Sequence, residues 1–395
     1  MDVTFFVDIE APDGTRYGSG PLSNVISWSN VCKLSRSGNF RFEMPMTQPD
    51  AGLIVERRVA RCRAITAAGP IQIGAGIIDN IDYVPSSDGN IKMIVSGSDL
   101  MRELNFRNTF TNSADNVTHA ASLAQLEALA PSGWSFNADD QPPINSIYHQ
   151  YDGETVLNGS IKMAELSGTQ FYLVGDRTLQ YSSNWMDSGL RAIEVPTKPD
   201  ISDPNVFYIR DISYADDSYN LISRIYPYGD RGSVTLADCT RTPPAGFTLD
   251  AANNYIVNTA IESSYGRVER VEAYPEVKRI GAAPADDIAA SNALYDLALA
   301  ELQRSNLVRR DFALSLIAGP RLIRPMEQIR CVFRRLAHGQ LIENIDSVLS
   351  VIETETKVDQ YGLRTTRLLV GTIGHPPPNE HQTLIDLKRQ LDGIL

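Results

Sequence analysis

Cysteine is scarce in this chain: four among 395 residues (Cys32, Cys62, Cys239 and Cys331), with no C-x-x-C pair. That argues against a disulfide framework or a thiolate metal cage. Cys62 in VARCRAI and Cys331 in QIRCVFR sit inside apolar alternation and read as small buried thiols. Positive charge is also in deficit, with 36 Lys and Arg against 48 Asp and Glu and a net charge of −12. A surface that wraps nucleic acid needs the opposite balance, because phosphates are neutralised by Lys and Arg. No run approaches the ~20 apolar residues that span a bilayer. The opening MDVTFFVDIEAPDG carries an acid at position 2 and lacks a secretory pattern, so a protein made and folded in a cytoplasm, without a membrane segment, is expected. No G-x-S-x-G elbow, Walker A loop or H-E-x-x-H motif is present. The Gly-rich YGSGPLSN and GAGII do not follow the dinucleotide fingerprint. No catalytic residue, cofactor or metal is therefore assigned.

What is there is ordinary for a globular protein: 43% hydrophobic and 21% charged residues, in a length that suits two or three domains. Residues 1–105 read as short alternating runs such as GNFRFEMPM, ERRVARCRAIT and NIKMIVSGSD, broken by PDG and SDGN turns, which predicts an antiparallel β-barrel. The character then changes. NSADNVTHAASLAQLEALAPSG and ETVLNGSIKMAELSG are helical, and QFYLVGDRTLQYS is a hairpin, so 106–210 reads as an inserted α+β domain leaving through the Pro-rich EVPTKPDISDPN. From 211 to 375 strands resume as a second barrel, interrupted by a long helix at 284–306. Residues 376–395 form a Pro-rich linker and a C-terminal helix in which Leu384, Leu387, Leu391 and Ile394 follow heptad spacing. That helix could dock on its own domain or on a neighbouring subunit. The fold class is mixed but mainly β: two similar antiparallel barrels with an α+β domain between them and a short terminal helix.

Two distant stretches read alike. Each has a strand, a Pro-containing loop, a basic strand with one cysteine, and then I-[DE]-N-I-D. Cys331 follows Cys62 by nearly the same offset as Glu343 follows Asp79. Either a duplicated barrel or a chance likeness between amphipathic strands would produce this.

Candidate chemistry is thin. His375, Glu380 and His381 in HPPPNEH could approach a metal, but a stiff solvated linker explains them better. Glu353/Glu355 and Asp286/Asp287 could serve as paired acids for glycoside hydrolysis. An exposed strand face and helix-start charge account for them equally well. The doublets Arg57-Arg58, Arg309-Arg310 and Arg334-Arg335 read as surface or inter-subunit ion pairs. Tyr226, Tyr228, Tyr255, Tyr265 and Tyr274 could make a sugar platform or an interface. The stretch DDSYNLISRIYPYGDRG reads as a strand where the α+β unit hands back to the barrel. Its Arg224, Tyr226 and Tyr228 are candidate partner-binding residues at a subunit seam, together with Leu384, Leu387, Leu391 and Ile394.

The run VISWSNVCKLSRSGNFRFEMPMTQPDAGLIVERRVARCRAI, with GIIDNIDYV and VSGSDLMRELNFR, resembles the N-terminal barrel of tail hub proteins from long-tailed bacteriophages. MAELSGTQFYLVGDRTLQY, NLISRIYPYGD and LYDLALAELQRSNLVRRDFALSL resemble later parts of the same hubs, so the likeness spans most of 25–375. One departure is RPMEQIRCVF, which places Met326 and Glu327 where the family often has Gly and Asp. The resemblance implies a homotrimeric, pseudo-sixfold ring joining the tail tube to a threefold tip. Its partners would be further copies of itself, a tail tube or distal tail protein, a tape-measure protein and a central spike or fibre protein. DNA would pass through its channel without specific binding. The implied location is the virion tail tip or baseplate, assembled in the host cytoplasm. The alternatives are a tail-associated cell-wall or capsule-degrading enzyme and a carbohydrate-binding tail adhesin.

Overall fold

A computed structural model describes residues 4–66, 69–85, 90–139, 142–195, 203, 205–217, 221–305, 309–317, 321–337, 340–361 and 364–371. The terminal heptad residues Leu384, Leu387, Leu391 and Ile394, and the His375/Glu380/His381 group, lie outside the described residues.

The chain opens with six strands: β1 (Thr4–Glu10), β2 (Ser27–Lys33), β3 (Arg36–Pro45), β4 (Val59–Thr66), β5 (Gly69–Pro85) and β6 (Ile91–Asp99). They pair antiparallel in the order β1-β4-β5-β6-β3-β2. Period-2 alternation does what it should on β3. Phe40, Phe42 and Met44 turn inward, and Trp28 stacks on both phenylalanines at 5.1 and 5.8 Å. Arg41 and Glu43 turn outward and pair at 2.9 Å. Cys62 is buried in this core, as its apolar neighbours predicted.

Next come β7 (Thr111–Thr118), α1 (His119–Leu129), β8 (Ser135–Ala138), β9 (Ser146–Asp152), α2 (Val156–Ser167), β10 (Gln170–Val174) and β11 (Thr178–Ser182). The helix expected from Asn112 starts only at His119, because the residues before it pair as β7 with β9. The Thr118 and Thr155 hydroxyls accept from backbone N–H groups of Ala121 and Asn158 and so cap α1 and α2. Gly168, at φ +71, ends α2 in the left-handed conformation. Strands β12 (Met186–Glu194) and β13 (Val206–Asp217) follow, and these pair with later strands rather than with β8, β10 or β11.

A second small unit has β14 (Arg224–Gly229), β15 (Phe247–Asp250), β16 (Tyr255–Asn258), α3 (Thr259–Tyr265), β17 (Glu269–Tyr274) and α4 (Pro284–Arg304). The long helix is where its spacing placed it, but the strands that precede it, β14 to β17, are not barrel strands. The four strands make their own sheet, β15-β16-β14-β17. The stretch around Arg224 therefore belongs to this sheet and not to a barrel layer, a correction that follows from its pairing with β16 and β17. Its core is continuous with that of α1 and α2: Met163 and Leu166 share one apolar cluster with Leu294 and Tyr295.

The last strands are β18 (Arg309–Ile317), β19 (Glu327–Ala337), β20 (Gln340–Asp359) and β21 (Arg364–Gly371). With β12 and β13 they close a six-stranded barrel, β20-β19-β12-β13-β18-β21, in which β21 returns to β20. β20 also joins the two sheets. Its first half pairs with β19, and its second half, Glu353–Asp359, pairs with β2 on the same edge.

The two six-stranded sheets repeat one plan. Each member of β1-β4-β5-β6-β3-β2 has a counterpart in β12-β19-β20-β21-β18-β13. Cys62 opposes Gly74 as Cys331 opposes Ser347. The bulge that skips Asp79 recurs at Ile352, and Phe40 opposes Gly97 as Phe312 opposes Val370. These markers hold β5 and β6 at one constant offset from β20 and β21. The equivalence is therefore Asp79 with Ile352, not with Glu343. The I-[DE]-N-I-D match is out of register with the pairing. The one difference in direction is that β12 runs parallel to β19, whereas β1 is antiparallel to β4.

Candidate partner-binding face

β14 is an inner strand, so alternate side chains go to opposite faces of the sheet. Ile225, Pro227 and Gly229 are buried, and Ile225 shares the core with α4. A Cβ on Gly229 would lie 2.5 Å from the Val277 carbonyl oxygen, which leaves room only for glycine. Arg224, Tyr226 and Tyr228 are half-buried on the other face.

That face is organised by charge and rings. The Arg224 guanidinium donates to both carboxylate oxygens of Glu262, at 2.7 and 3.0 Å, and sits 4.3 Å over the Tyr255 ring. Burial opposes the Arg224 charge, but Glu262 and the Tyr226 hydroxyl outweigh it and hold its pKa above the ordinary arginine range. The Tyr226 ring lies 5.5 Å from that of Tyr255. Its hydroxyl donates to Glu269 at 2.6 Å and accepts from Arg267 at 3.0 Å. Tyr226 and Arg267, which also donates directly to Glu269 at 2.7 Å, draw the Glu269 carboxyl below its usual range. Val271, opposite Tyr226, is exposed beside them, and Tyr265, at the end of α3, is also exposed. Tyr274 does not join the group, because it is buried on the inner face. The result is a pre-ordered Tyr/Arg surface, the residue types that dominate protein interfaces.

The remaining candidates resolve into structural contacts. Glu353 meets Lys33 at 3.7 Å and Glu355 meets Lys357 at 2.8 Å. Asp286 accepts the Ala283 N–H and caps α4, while Asp287 pairs with Arg279 at 2.8 Å. Arg57 and Arg58 lie over the rings of Phe106 and Tyr17, at 4.7 and 3.8 Å. The side chains of Arg309, Arg310 and Arg335 lie outside the described residues. Among the described residues no group of three His, Cys, Asp or Glu converges as a metal site, and no helix is long and apolar enough to cross a membrane.

A second seam had no sequence signal. Glu103 accepts from the Trp134 indole at 2.9 Å and from Arg177 at 2.7 and 2.8 Å. Arg61 bridges Glu10 and Asp176 at 2.9 and 2.7 Å. Arg61 of β4 and Glu103, in the turn after β6, are thereby tied to Asp176 and Arg177 at the tip of the β10–β11 hairpin, partners too far apart in sequence for spacing to reveal them.

No protein-family model matches the chain, and no curated protein matches its sequence. Solved structures do share its fold. The 43 kDa tail protein of prophage MuSo2 from Shewanella oneidensis superposes with a TM-score of 0.59 at 15% identity, covering 93% of this chain and 98% of that one. The prophage tail protein gp18 of Listeria monocytogenes EGD-e gives 0.57 at 10% identity, over 98% and 99%. A tail protein of Neisseria meningitidis MC58 gives 0.56 at 14% identity, over 94% and 97%. The chain has the fold of phage tail proteins along nearly its whole length.

Proposed function

We propose that this protein is a structural hub of a phage tail tip or baseplate and catalyses no reaction. Three copies form a ring whose six barrels create near-sixfold symmetry on a threefold assembly. One rim then meets the sixfold tail tube or a distal tail protein, and the other meets a threefold spike or fibre. The ring encloses a channel for the tape-measure protein and for DNA. The observation that carries this reading is the repeated strand order of the two six-stranded sheets, the second of them closed as a barrel, within a fold shared with prophage tail proteins. A closed homo-oligomer built from duplicated domains presents twice as many similar positions as it has chains. The net charge of −12 per chain suits a passage that DNA slides through without binding. The Arg224, Tyr226 and Tyr228 face is then a seam with a partner or a second copy.

Native mass spectrometry tests the assembly: three chains of 43.5 kDa are expected, and a single-chain mass at every concentration overturns it. The Tyr226–Tyr255 pair also supports an adhesin reading, since stacked rings bind sugars. Glycan-array binding abolished by Tyr226→Ala would favour that reading instead.

A further inference from the structure

The duplication leaves two strand edges unmatched, and we infer that they pair with each other between copies of this chain. Inside the chain, β2 of the first sheet lies along the second half of β20, from Ser27 opposite Asp359 to Lys33 opposite Glu353. The equivalent of that half of β20 is Asn80–Pro85 of β5. β4 pairs with β5 only as far as Ile77, so among the described strands none covers β5 beyond that point on this edge. The equivalent of β2 is Asp211–Asp217 of β13. On the corresponding edge β12 pairs with β13 only from Val206 to Ile209. Each edge is thus half of an antiparallel contact that the chain already makes once with itself.

Exposure points the same way. Asn30 and Thr356 face each other across the internal contact and are 4% and 5% exposed. Their equivalents, Tyr214 and Tyr83, are 45% and 56% exposed. Beside Tyr83, Val84 is 42% exposed. Sheet edges that end in exposed apolar side chains invite strand addition. The constant offset fixes the register: Ile212 opposite Pro85, Ser213 opposite Val84, Tyr214 opposite Tyr83. In that register Asp82 faces Ala215 and Asp217 faces Asn80, so no carboxylate opposes another across a rung. The contact is head-to-tail, β13 of one copy onto β5 of the next, and such a contact either closes into a ring or grows without limit. It rests on the hub reading for its closure at three copies.

The test uses full-length chains bearing Val84→Cys or Ser213→Cys, oxidised separately and mixed. Cysteines directly opposite on paired strands are within disulfide reach. A covalent dimer is expected only in the mixture. Tyr83→Asp should weaken assembly by at least about ten-fold while leaving the urea midpoint of the isolated chain unchanged. If the protein assembles by mass, yet no mixed dimer forms and Tyr83→Asp assembles normally, the pairing is wrong and the hub reading stands. A chain that stays monomeric at every concentration overturns both.

Discussion

Single residues show where local rules yield to packing. Met326 holds φ at +77, a conformation that favours glycine, and its side chain is fully buried with Leu34, Tyr172 and Ile352. Glu327 beside it accepts from the Arg324 N–H at 2.8 Å and from Arg321 at 3.0 Å, so the turn survives the loss of the family's Gly-Asp. Met326→Gly would relieve about 1 kcal/mol of backbone strain and forfeit about 3 kcal/mol of buried side chain. A net loss of about 2 kcal/mol in urea unfolding is expected, and a stabilised variant would contradict the account. Asp99 is the clearest titrating group in the first sheet. Burial pushes it up to about 6, against the pull of the Ser37 hydroxyl and the N–H groups of Gly38 and Met101. A carboxyl whose folded pKa lies above its unfolded value of about 3.9 holds its proton better when folded. Its contribution is therefore full below about pH 4 and lost as pH rises through about 6. Asp99→Asn removes that dependence, so its deficit relative to the wild-type protein should shrink between about pH 4 and about pH 7. A deficit that grows with pH would rule this out.

Among the elements, strands with one wet face were legible because alternation reports burial directly: β3, β4 and β6 fall where the pattern put them. α4 was legible from its length and its acidic first turn. β7 was not, since a capped, Ala-rich run masks the strand in front of it. The partners of β12, β13 and β14 were also hidden, because pairing between strands that are not neighbours in sequence leaves no local trace. The Tyr/Arg face was half legible. Arg224, Tyr226 and Tyr228 share a strand, whereas Tyr255, Glu262 and Glu269 arrive only through the fold of β16, α3 and β17. Arg224→Ala separates the two roles of that face. Glu262 is a quarter exposed and can be rehydrated, so the chain should lose only about 1 kcal/mol of stability. If the face is a seam, assembly measured by light scattering should fall much further than that loss explains. Equal, small effects on both would make Arg224 purely structural.

At the scale of the whole molecule, the duplication was visible in sequence but its register was not, since I-[DE]-N-I-D aligns residues that pairing and bulges keep apart. The structure also adds a consequence of sharing β20. One strand closes the barrel with β19 and β21, and it carries the first sheet on β2, so neither the barrel nor that sheet can lose it alone. Val358 of β20 is buried in the core of the first sheet with Trp28. Trp28→Ala should cost about 3–5 kcal/mol. If the sheets unfold as one unit, that loss lowers a single transition. Hydrogen exchange of β13 and β18 amides, in the barrel, should then quicken along with that of β3 and β6 in the first sheet. Two separated transitions, with only the first-sheet amides accelerated, would mean that β20 links the sheet and the barrel without making them cooperative.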